Sequence, residues 1–301
     1  MARSPTVSGR RPLPIAAVSD LLEIPIPTIR SWERRYGFPS PTRTDGRHRR
    51  YEQVEIDQLR GVRDAIMQGY GAREAVALVR EGRSHGASAI PYVEALLRSA
   101  MDLDPSASRA VLLESADDLG VEGAIVRVAI PAMQEVGSRW RAGACDAANE
   151  HEMTEVVRRW LARELALADP PTRPRPVVLA CGPKELHCVG LEAFAVILAR
   201  RGWPLIVLGA LTPVASLRKA VQDADAAAAV VVAQRGLNRR STAEALRAIR
   251  PLLGRASCYA GGAFATPAAR KDVSGTYLGP DLIEASTILA SVAEASRIGS
   301  G

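Results

Sequence analysis

The sequence predicts a multidomain protein of the α and α/β classes, with a winged helix-turn-helix, a four-helix bundle and a doubly wound parallel sheet. Three observations support this prediction. Residues 13–82 follow the order helix, turn, helix, basic loop, helix. Residues 91–168 keep helical spacing between a few breaks. Residues 176–297 alternate short apolar runs with amphipathic helices. A length of 301 residues accommodates three such domains.

The composition is that of a globular protein, with 47% apolar and 24% charged residues. No apolar run approaches the ~20 residues of a membrane span, and the basic N-terminus lacks the apolar core of a secretory signal. We therefore expect a cytoplasmic protein without a membrane partner. The four cysteines form no CxxC pair, so we expect reduced thiols rather than a zinc ribbon. The sequence also lacks a GxxxxGK[ST] phosphate loop and an HExxH metal site.

Positive charge is concentrated near the N-terminus. Residues 1–80 hold 14 Arg against 9 Asp and Glu, a net charge of +5 out of +6, which leaves +1 for residues 81–301. Seven arginines lie between Arg30 and Arg50, against two acidic residues. This concentration predicts a polyanionic partner for the N-terminal part. The alternative is a solvated Arg-rich surface, because the chain has only three lysines.

The N-terminal elements have clear boundaries. LPIAAVSDLLEI predicts one short helix, and PTIRSWERRYG a second, with Pro27 at its first position and Gly37 as its terminator. FPSPTRTDGRHRRY has no helical period, and YEQVEIDQLRGVRDAIMQGY resumes it. We predict that Trp32 ties the helices together in the core instead of contacting a base.

The segment TIRSWERRYGFPSPTRTDGRHRRY resembles the DNA-binding domain of MerR-family transcription regulators, and the resemblance covers about residues 13–80. It implies a recognition helix in the major groove, phosphate contacts and a wing, with double-stranded operator DNA as the partner. The implied groove residues are Thr28, Arg30 and Ser31; the implied phosphate contacts are Arg35, Tyr36 and Arg43; the implied wing residues are His48, Arg49 and Tyr51.

Residues 82–90 are small and polar and predict a linker, and the four prolines of residues 169–176 predict another. Between them, breaks near 102–105, Gly120 and Gly143 divide the chain into four helices. In the last part, the predicted strands are 177–181, 205–209, 226–233 and 257–262, and the predicted helices are 188–201, 214–223, 240–253 and 281–296.

The first predicted strand of the sheet ends in GPKELHCVG, at the edge where such sheets bind ligands. By itself His187 there is typical of a hydrogen-bonded loop residue. ELHCVG nevertheless resembles the Asp-x-His-x-x-Gly signature of cobalamin-binding domains, which implies that His187 is the lower axial ligand of cobalt. Glu185 departs from the Asp of that signature, and AQRG at 233–236 departs from its Ser-x-Leu. The residues implied to bind cobalamin in this domain are Glu185, His187, Gly190, Thr212, Gly261 and Gly262.

A second constellation lies at the end of the bundle. Trp140 is followed by Glu150 and His151, and an N-cap at Asp146 puts Ala147 on the same helical face as the pair. A buried tryptophan beside a surface Glu-His pair explains the pattern equally well. The W-x9-E-H spacing resembles the CarH/LitR class of adenosylcobalamin-dependent photoreceptor repressors. In that class the Trp and the Glu-His pair lie over the adenosyl group, and a small residue at 147 leaves room for it.

One residue departs from that class. Its typical members have a histidine after the Trp that ligates cobalt after photolysis, whereas this chain has Arg141, which cannot bind a metal. We assign neither His85 nor His48 to cobalt.

The resemblance implies a light-responsive repressor rather than an enzyme, with adenosylcobalamin between bundle and sheet and a dimeric or tetrameric homo-oligomer on DNA. Two alternatives remain open. One is a cobalamin methyl carrier or mutase subunit, against which the basic N-terminal domain argues. The other is a regulator that has lost cobalamin.

Overall fold

The computed structural model describes the chain over five ranges, which are 12–22, 24–43, 49–67, 72–80 and 89–298. Its contacts divide the chain into two compact units. Unit 1 comprises residues 1–91 with 117–123, and unit 2 comprises 92–116 with 124–301. Over the described ranges, no helix combines the length and apolarity that a membrane crossing demands.

Unit 1 contains short helices and a small antiparallel sheet in the order β1-β3-β2. The hairpin of β2 and β3 is the predicted wing. Its elements are β1 (Leu13–Pro14), α1 (Ile15–Leu22), α2 (Ile26–Tyr36), β2 (Thr42–Arg43), β3 (Arg49–Tyr51), α3 (Gln53–Met67) and α4 (Ala72–Arg80).

Local sequence sets the ends of α2. The helix begins at Ile26, so Pro27 is its second residue, one position later than predicted. Gly37 ends it with φ 59°, and its N–H donates to the Glu33 carbonyl oxygen, so the predicted terminator is confirmed. Trp32 is 7% exposed and packs in the core of this unit, which confirms its predicted role.

Four helices between residues 89 and 166 form the bundle and confirm the predicted number; most of the bundle belongs to unit 2, whereas residues 89–91 and 117–123 are grouped with unit 1. Gly120 interrupts α6 with φ 70° and ψ 158°, and Gly143 follows α7 with φ 70°, so the predicted breaks at these glycines are real. A π-helical turn (Ile125–Ala129) lies between the second helix and the third. The helices are α5 (Ala89–Met101), α6 (Pro105–Ala124), α7 (Ile130–Arg141) and α8 (Ala147–Ala166).

The predicted N-cap at Asp146 is confirmed as half of a capping box. Its carboxylate accepts from the Ala148 N–H at 2.8 Å, and its own N–H donates to the Asn149 side chain at 3.0 Å. The Asn149 amide also donates to the carbonyl oxygens of Ala100 and Met101. These bonds fix the start of α8 against the end of α5.

The rest of unit 2 is a five-stranded parallel sheet in the order β5-β4-β6-β7-β8. The strands are β4 (Val177–Cys181), β5 (Leu205–Gly209), β6 (Ala228–Val232), β7 (Ser257–Ala260) and the unpredicted β8 (Thr276–Tyr277). The helices are α9 (Val189–Arg200), α10 (Val214–Asp223), α11 (Arg239–Leu253), the unpredicted α12 (Pro267–Arg270) and α13 (Leu282–Ile298). The doubly wound sheet predicted from the apolar runs is confirmed.

The order of the strands in the sheet determines where a ligand-binding crevice opens. The chain goes from β4 outward to β5 and then returns to the other side of β4 to form β6. The crossover connections after β4 and β6 therefore diverge, and the crevice opens at the carboxyl ends of these two strands. Both strands are buried throughout. The residues that follow Cys181 and Val232 line this opening.

Candidate functional site

The carboxyl edge of the sheet contains a buried carboxylate, Glu185, in the turn after β4. Its side chain is 0% exposed. One oxygen, Oε1, accepts from the His187 N–H at 2.9 Å and lies 2.5 Å from His187 Nδ1. The other, Oε2, accepts from the Gln234 N–H at 2.8 Å and the Asn238 amide at 2.9 Å, with the Arg235 N–H at 3.4 Å. Glu185 thus joins the two segments that follow β4 and β6.

The hydrogen bonds to Glu185 determine the ionisation state of its carboxyl group. Burial alone raises the pKa of the carboxyl, but hydrogen bonds from His187, Asn238 and Gln234 outweigh it and lower the pKa to about 2. The carboxylate is therefore ionised at neutral pH and accepts hydrogen bonds only. The longer Glu side chain does reach the ring of His187, although an Asp occupies this position in the signature that the segment resembles.

The contact with Glu185 also orients His187. Because a carboxylate only accepts, Nδ1 is the protonated nitrogen, and in the neutral ring Nε2 keeps a lone pair. The side chain of His187 is 50% exposed, and Nε2 has no hydrogen-bond partner among the described residues. Exposed leucines lie in the segments after β4, β5 and β6, and these are Leu186, Leu211 and Leu237. The arrangement offers one nitrogen ligand with apolar side chains on the adjoining segments.

Of the two glycines predicted at this edge, Gly261 is required by its positive φ and close backbone approach, and Gly262 lies in a tight but less restrictive position. Gly261 has φ 105°, and a Cβ there would lie 2.2 Å from the Ala233 carbonyl oxygen. A Cβ at Gly262 would lie 3.1 Å from Gln234 Oε1, which accepts from the Gly262 N–H at 2.9 Å. Gly190 also faces this side chain, since its Cβ would lie 3.7 Å from Gln234 Nε2. Gln234 therefore holds the turn after β7 through the Gly262 N–H, and its amide lies near Gly190 in the first turn of α9.

Thr212 follows β5 and is buried, and its hydroxyl donates to the Gly209 carbonyl oxygen at 3.0 Å. Gln234 and Asn238 were missed by sequence reasoning. No spacing rule signals them, because their partners lie 49 and 53 residues away along the chain.

The bundle constellation has an exposed tryptophan. Trp140 is 45% exposed, so the alternative of a buried tryptophan is wrong. Glu150 and His151 lie on α8 beyond the Asp146 cap, with Glu150 Oε2 3.6 Å from His151 Nε2. The Thr154 hydroxyl donates to Glu150 Oε1 at 3.1 Å. Arg141 is exposed at the end of α7, and Ala147 is half-buried at the start of α8.

The bundle is tied to the sheet by charge. Arg158 of α8 donates three hydrogen bonds to the Glu192 carboxylate of α9, with lengths of 2.9 to 3.1 Å. Helix α9 begins two residues after His187. The helix that carries the Glu-His pair is therefore ion-paired to the helix that follows the exposed imidazole.

In unit 1, α2 presents polar and basic side chains. Thr28, Ser31 and Arg35 recur at spacings of three and four and share one face, while Arg30 is exposed on a different part of the helix surface, about 100° or more around the axis from each of them. Tyr36 is half-buried. Arg43 lies in β2, and His48 lies outside the described residues. The set suits a duplex, since arginines neutralise phosphates and the helix fits the major groove.

The predicted DNA contact of Tyr51 is corrected by its burial. Tyr51 is 0% exposed, and its hydroxyl donates to Glu33 Oε1 at 2.6 Å. Burial and the Glu33 carboxylate raise the pKa of Tyr51, so the hydroxyl remains a donor. Arg49 donates to Glu33 Oε2 at 2.7 Å. Tyr51 therefore positions the wing against α2 through Glu33, a residue that sequence reasoning did not single out.

Two family models match separate parts of the chain. Residues 13–81 match the MerR HTH family regulatory protein model, and residues 92–163 match the B12 binding domain model. The chain is 32% identical to the HTH-type transcriptional repressor CarA of Myxococcus xanthus, over 69% of this chain and 72% of CarA. It is 31% identical to the HTH-type transcriptional repressor CarH of the same organism, over 69% of this chain and 74% of CarH.

A solved structure shares the fold of 65% of the chain. The monomethylamine corrinoid protein of Methanosarcina barkeri superposes with a TM-score of 0.52 at 12% identity. The match covers 65% of this chain and 96% of that protein.

Proposed function

The chain belongs to the family of HTH-type transcriptional repressors that includes CarA and CarH, and from this premise we propose how it senses its signal. It is a cobalamin-dependent transcription regulator that binds DNA through a MerR-type domain, and it is not an enzyme. We infer that it represses its target promoter, that its cofactor is adenosylcobalamin and that light controls its state. The methyl-carrier alternative is disfavoured, because the HTH domain has no place in that function.

The observation that carries the cofactor proposal is the His187–Glu185 pair in the crevice between β4 and β6. A metal-ligating histidine commonly donates its other nitrogen to a carboxylate, which fixes the ring and raises its basicity. Here Glu185 holds Nδ1 at 2.5 Å and leaves Nε2 accessible. The residues therefore fit a cobalamin whose cobalt would be bound by His187, with Gly190 in the first turn of α9 and the glycine turn at Gly261 and Gly262 close to it.

An alkylated cobalamin supplies a cobalt–carbon bond that light can break, which is chemistry of the cofactor itself. The protein itself binds the cofactor, orients it and responds to the loss of that bond. We propose that Trp140, Ala147, Glu150 and His151 cover the upper face, an assignment supported by the exposed Trp140 and His151 side chains. Because the guanidinium of Arg141 offers no lone pair to a metal, His151 is the imidazole available on this face among the described residues of the bundle.

We propose which residues contact DNA from the exposure of the side chains on α2. Thr28, Arg30 and Ser31 would enter the major groove, and Arg35, Tyr36 and Arg43 would hold phosphates. Arg49 and His48 remain proposed residues of the wing. We also propose domain limits of 13–82, 91–168 and 176–297, a homo-oligomer suited to repeated half-sites, and the cytoplasm as the location, because the partner is DNA.

The test is the absorption spectrum of the full chain with adenosylcobalamin, in the dark and after illumination. We expect the parent to bind the cofactor and His187→Ala to bind it at least tenfold more weakly while remaining folded by circular dichroism, since His187 is half exposed. The matched control is His85→Ala, which removes an imidazole that we do not assign to cobalt.

Equal affinity in the parent and His187→Ala would remove the lower-ligand assignment. A parent spectrum that stays the same under illumination would leave a cobalamin-dependent regulator without the proposed response to light.

A further inference from the structure

Net charge is distributed unevenly over residues 81–301. Residues 81–175 hold 11 Arg and 15 acidic residues, a net charge of −4. Residues 176–301 hold 14 Arg and Lys against 9 acidic residues, a net charge of +5. The sheet domain therefore carries as much net positive charge as the N-terminal 80 residues.

This charge is concentrated on one helix. Residues 235–255 contain six arginines and one acidic residue, Glu244. Four of these arginines lie on α11, at positions 239, 240, 247 and 250, and all four are exposed. At 100° per residue they fall within an arc of about 100°. We name these four residues the α11 arginine face.

The opposite face of α11 explains this pattern. Its buried residues pack toward the sheet, and these are Thr242, Ala245, Leu246, Ile249 and Leu253. The arginines therefore point away from the core and contribute no packing to it. From Arg239 to Arg250 the helix rises about 16 Å, the axial rise of about five nucleotides of one DNA strand.

The arginine face is electrostatically unpaired. Arg239 Nε donates to the Gly236 carbonyl oxygen and Arg247 Nε to the Ala243 carbonyl oxygen. Across the described ranges, none of the four guanidinium groups is within ion-pair distance of a carboxylate, Glu244 on the same helix included. By contrast, Lys219 on the neighbouring helix α10 pairs with Asp223. Four uncompensated guanidinium groups in a line favour a polyanion with regularly spaced phosphates.

We propose that the α11 arginine face is a second DNA-binding surface, which holds the phosphate backbone of duplex DNA without reading its sequence. The inference rests on the proposed DNA binding of unit 1, because that binding brings the duplex to the chain. Charge complementarity carries the choice of DNA over a second copy of the chain. A contact through phosphates adds affinity and salt dependence but no base specificity.

The experiment uses the full chain and a long duplex selected from a random pool by the parent protein. Binding is measured by fluorescence anisotropy from 50 to 300 mM salt. The test variant is the triple substitution Arg240→Gln, Arg247→Gln and Arg250→Gln. The matched control is Arg98→Gln, Arg109→Gln and Arg159→Gln, which removes three exposed arginines from the acidic part of the chain.

Each phosphate contact contributes about 0.9 to the slope of log K against log salt, so three lost contacts lower the slope by about 2.7. We expect this decrease in the test variant and not in the control, with cobalamin affinity unchanged in both. Equal slopes in the test variant and the control would overturn the proposal.

Two further outcomes are informative. If the test variant changes its mass by light scattering without DNA, the face binds a second copy of the chain and the DNA assignment is overturned. If the parent itself retains no duplex, or if Arg35→Ala leaves retention unchanged, the proposed DNA binding of unit 1 fails instead. The two failures are therefore distinguishable.

Discussion

The substitution Glu185→Gln tests the network at the carboxyl edge of the sheet. An amide keeps the size of the side chain but turns one acceptor oxygen into a donor NH2 group. Glu185 Oε1 faces two donors of His187, and Oε2 faces the N–H groups of Gln234 and Arg235 and the Asn238 amide. Whichever way the amide turns, at least two donors lose their acceptor.

The magnitude follows from those bonds. A hydrogen bond to a charged group contributes about 1.5–3 kcal/mol, so two lost bonds predict a loss of about 3 kcal/mol or more in the free energy of unfolding. The assay is urea unfolding of the cofactor-free chain at pH 7, with Glu244→Gln as the control at an exposed site. We also expect cobalamin affinity to fall about 10- to 100-fold, because His187 loses the partner that orients its ring.

A variant that fails to fold would leave the affinity unmeasured, so Asn238→Ala provides a milder test. It removes one donor to Oε2, for which we expect a loss of about 1.5–3 kcal/mol with the fold retained. If Glu185→Gln unfolds at the same urea concentration as Glu244→Gln, the carboxylate does not hold the crevice together and the reasoning is refuted.

Three further predictions concern other parts of the chain. Arg35→Ala should reduce the slope of log K against log salt for operator DNA by about one without changing cobalamin uptake, and an unchanged slope would remove Arg35 from the interface. Burial raises the pKa of Glu152, whose carboxylate oxygens have no hydrogen-bond partner among the described residues. A carboxyl group whose pKa is raised in the folded state destabilises the fold at pH values above that pKa. Glu152→Met should therefore raise the free energy of unfolding at pH 7 by ~1 kcal/mol. The difference between the variant and the parent should shrink as the pH falls through the raised pKa of Glu152. After illumination, Arg141→His should retain cobalamin through acid denaturation and desalting better than the parent does, and equal retention would contradict the role given to position 141.

Local structure was largely predictable from the sequence, because periodicity and caps are properties of neighbouring residues. The breaks at Gly120 and Gly143 and the cap at Asp146 needed only a few residues of context. The predicted strand 226–233 was too long, since β6 covers Ala228–Val232. Its flanking alanines are as apolar as the strand itself, so the apolar run alone does not mark where pairing ends.

The candidate site was less predictable, because it depends on which strands are neighbours. Nothing local indicates that β6 lies beside β4, and the contact of Glu185 with Asn238 follows only from that order. The burial of Tyr51 is a similar case. The resemblance to MerR-family domains implied a DNA contact for Tyr51, whereas the fold turns its side chain inward onto Glu33.

The sheet domain departs from the cobalamin-binding signature at Glu185 and at AQRG (233–236), and these two segments are hydrogen-bonded to each other. A carboxylate at position 185 must reach the ring of His187 and also the donors that follow β6. The Glu side chain has one methylene more than Asp, and its second oxygen meets the backbone of Gln234 and the amide of Asn238. In the same segment, the Gln234 side chain accepts from the Gly262 N–H and lies near Gly190 in the first turn of α9. The longer acid is therefore hydrogen-bonded to the backbone of the altered AQRG segment, and Glu185 connects that segment to the imidazole that we assign to cobalt.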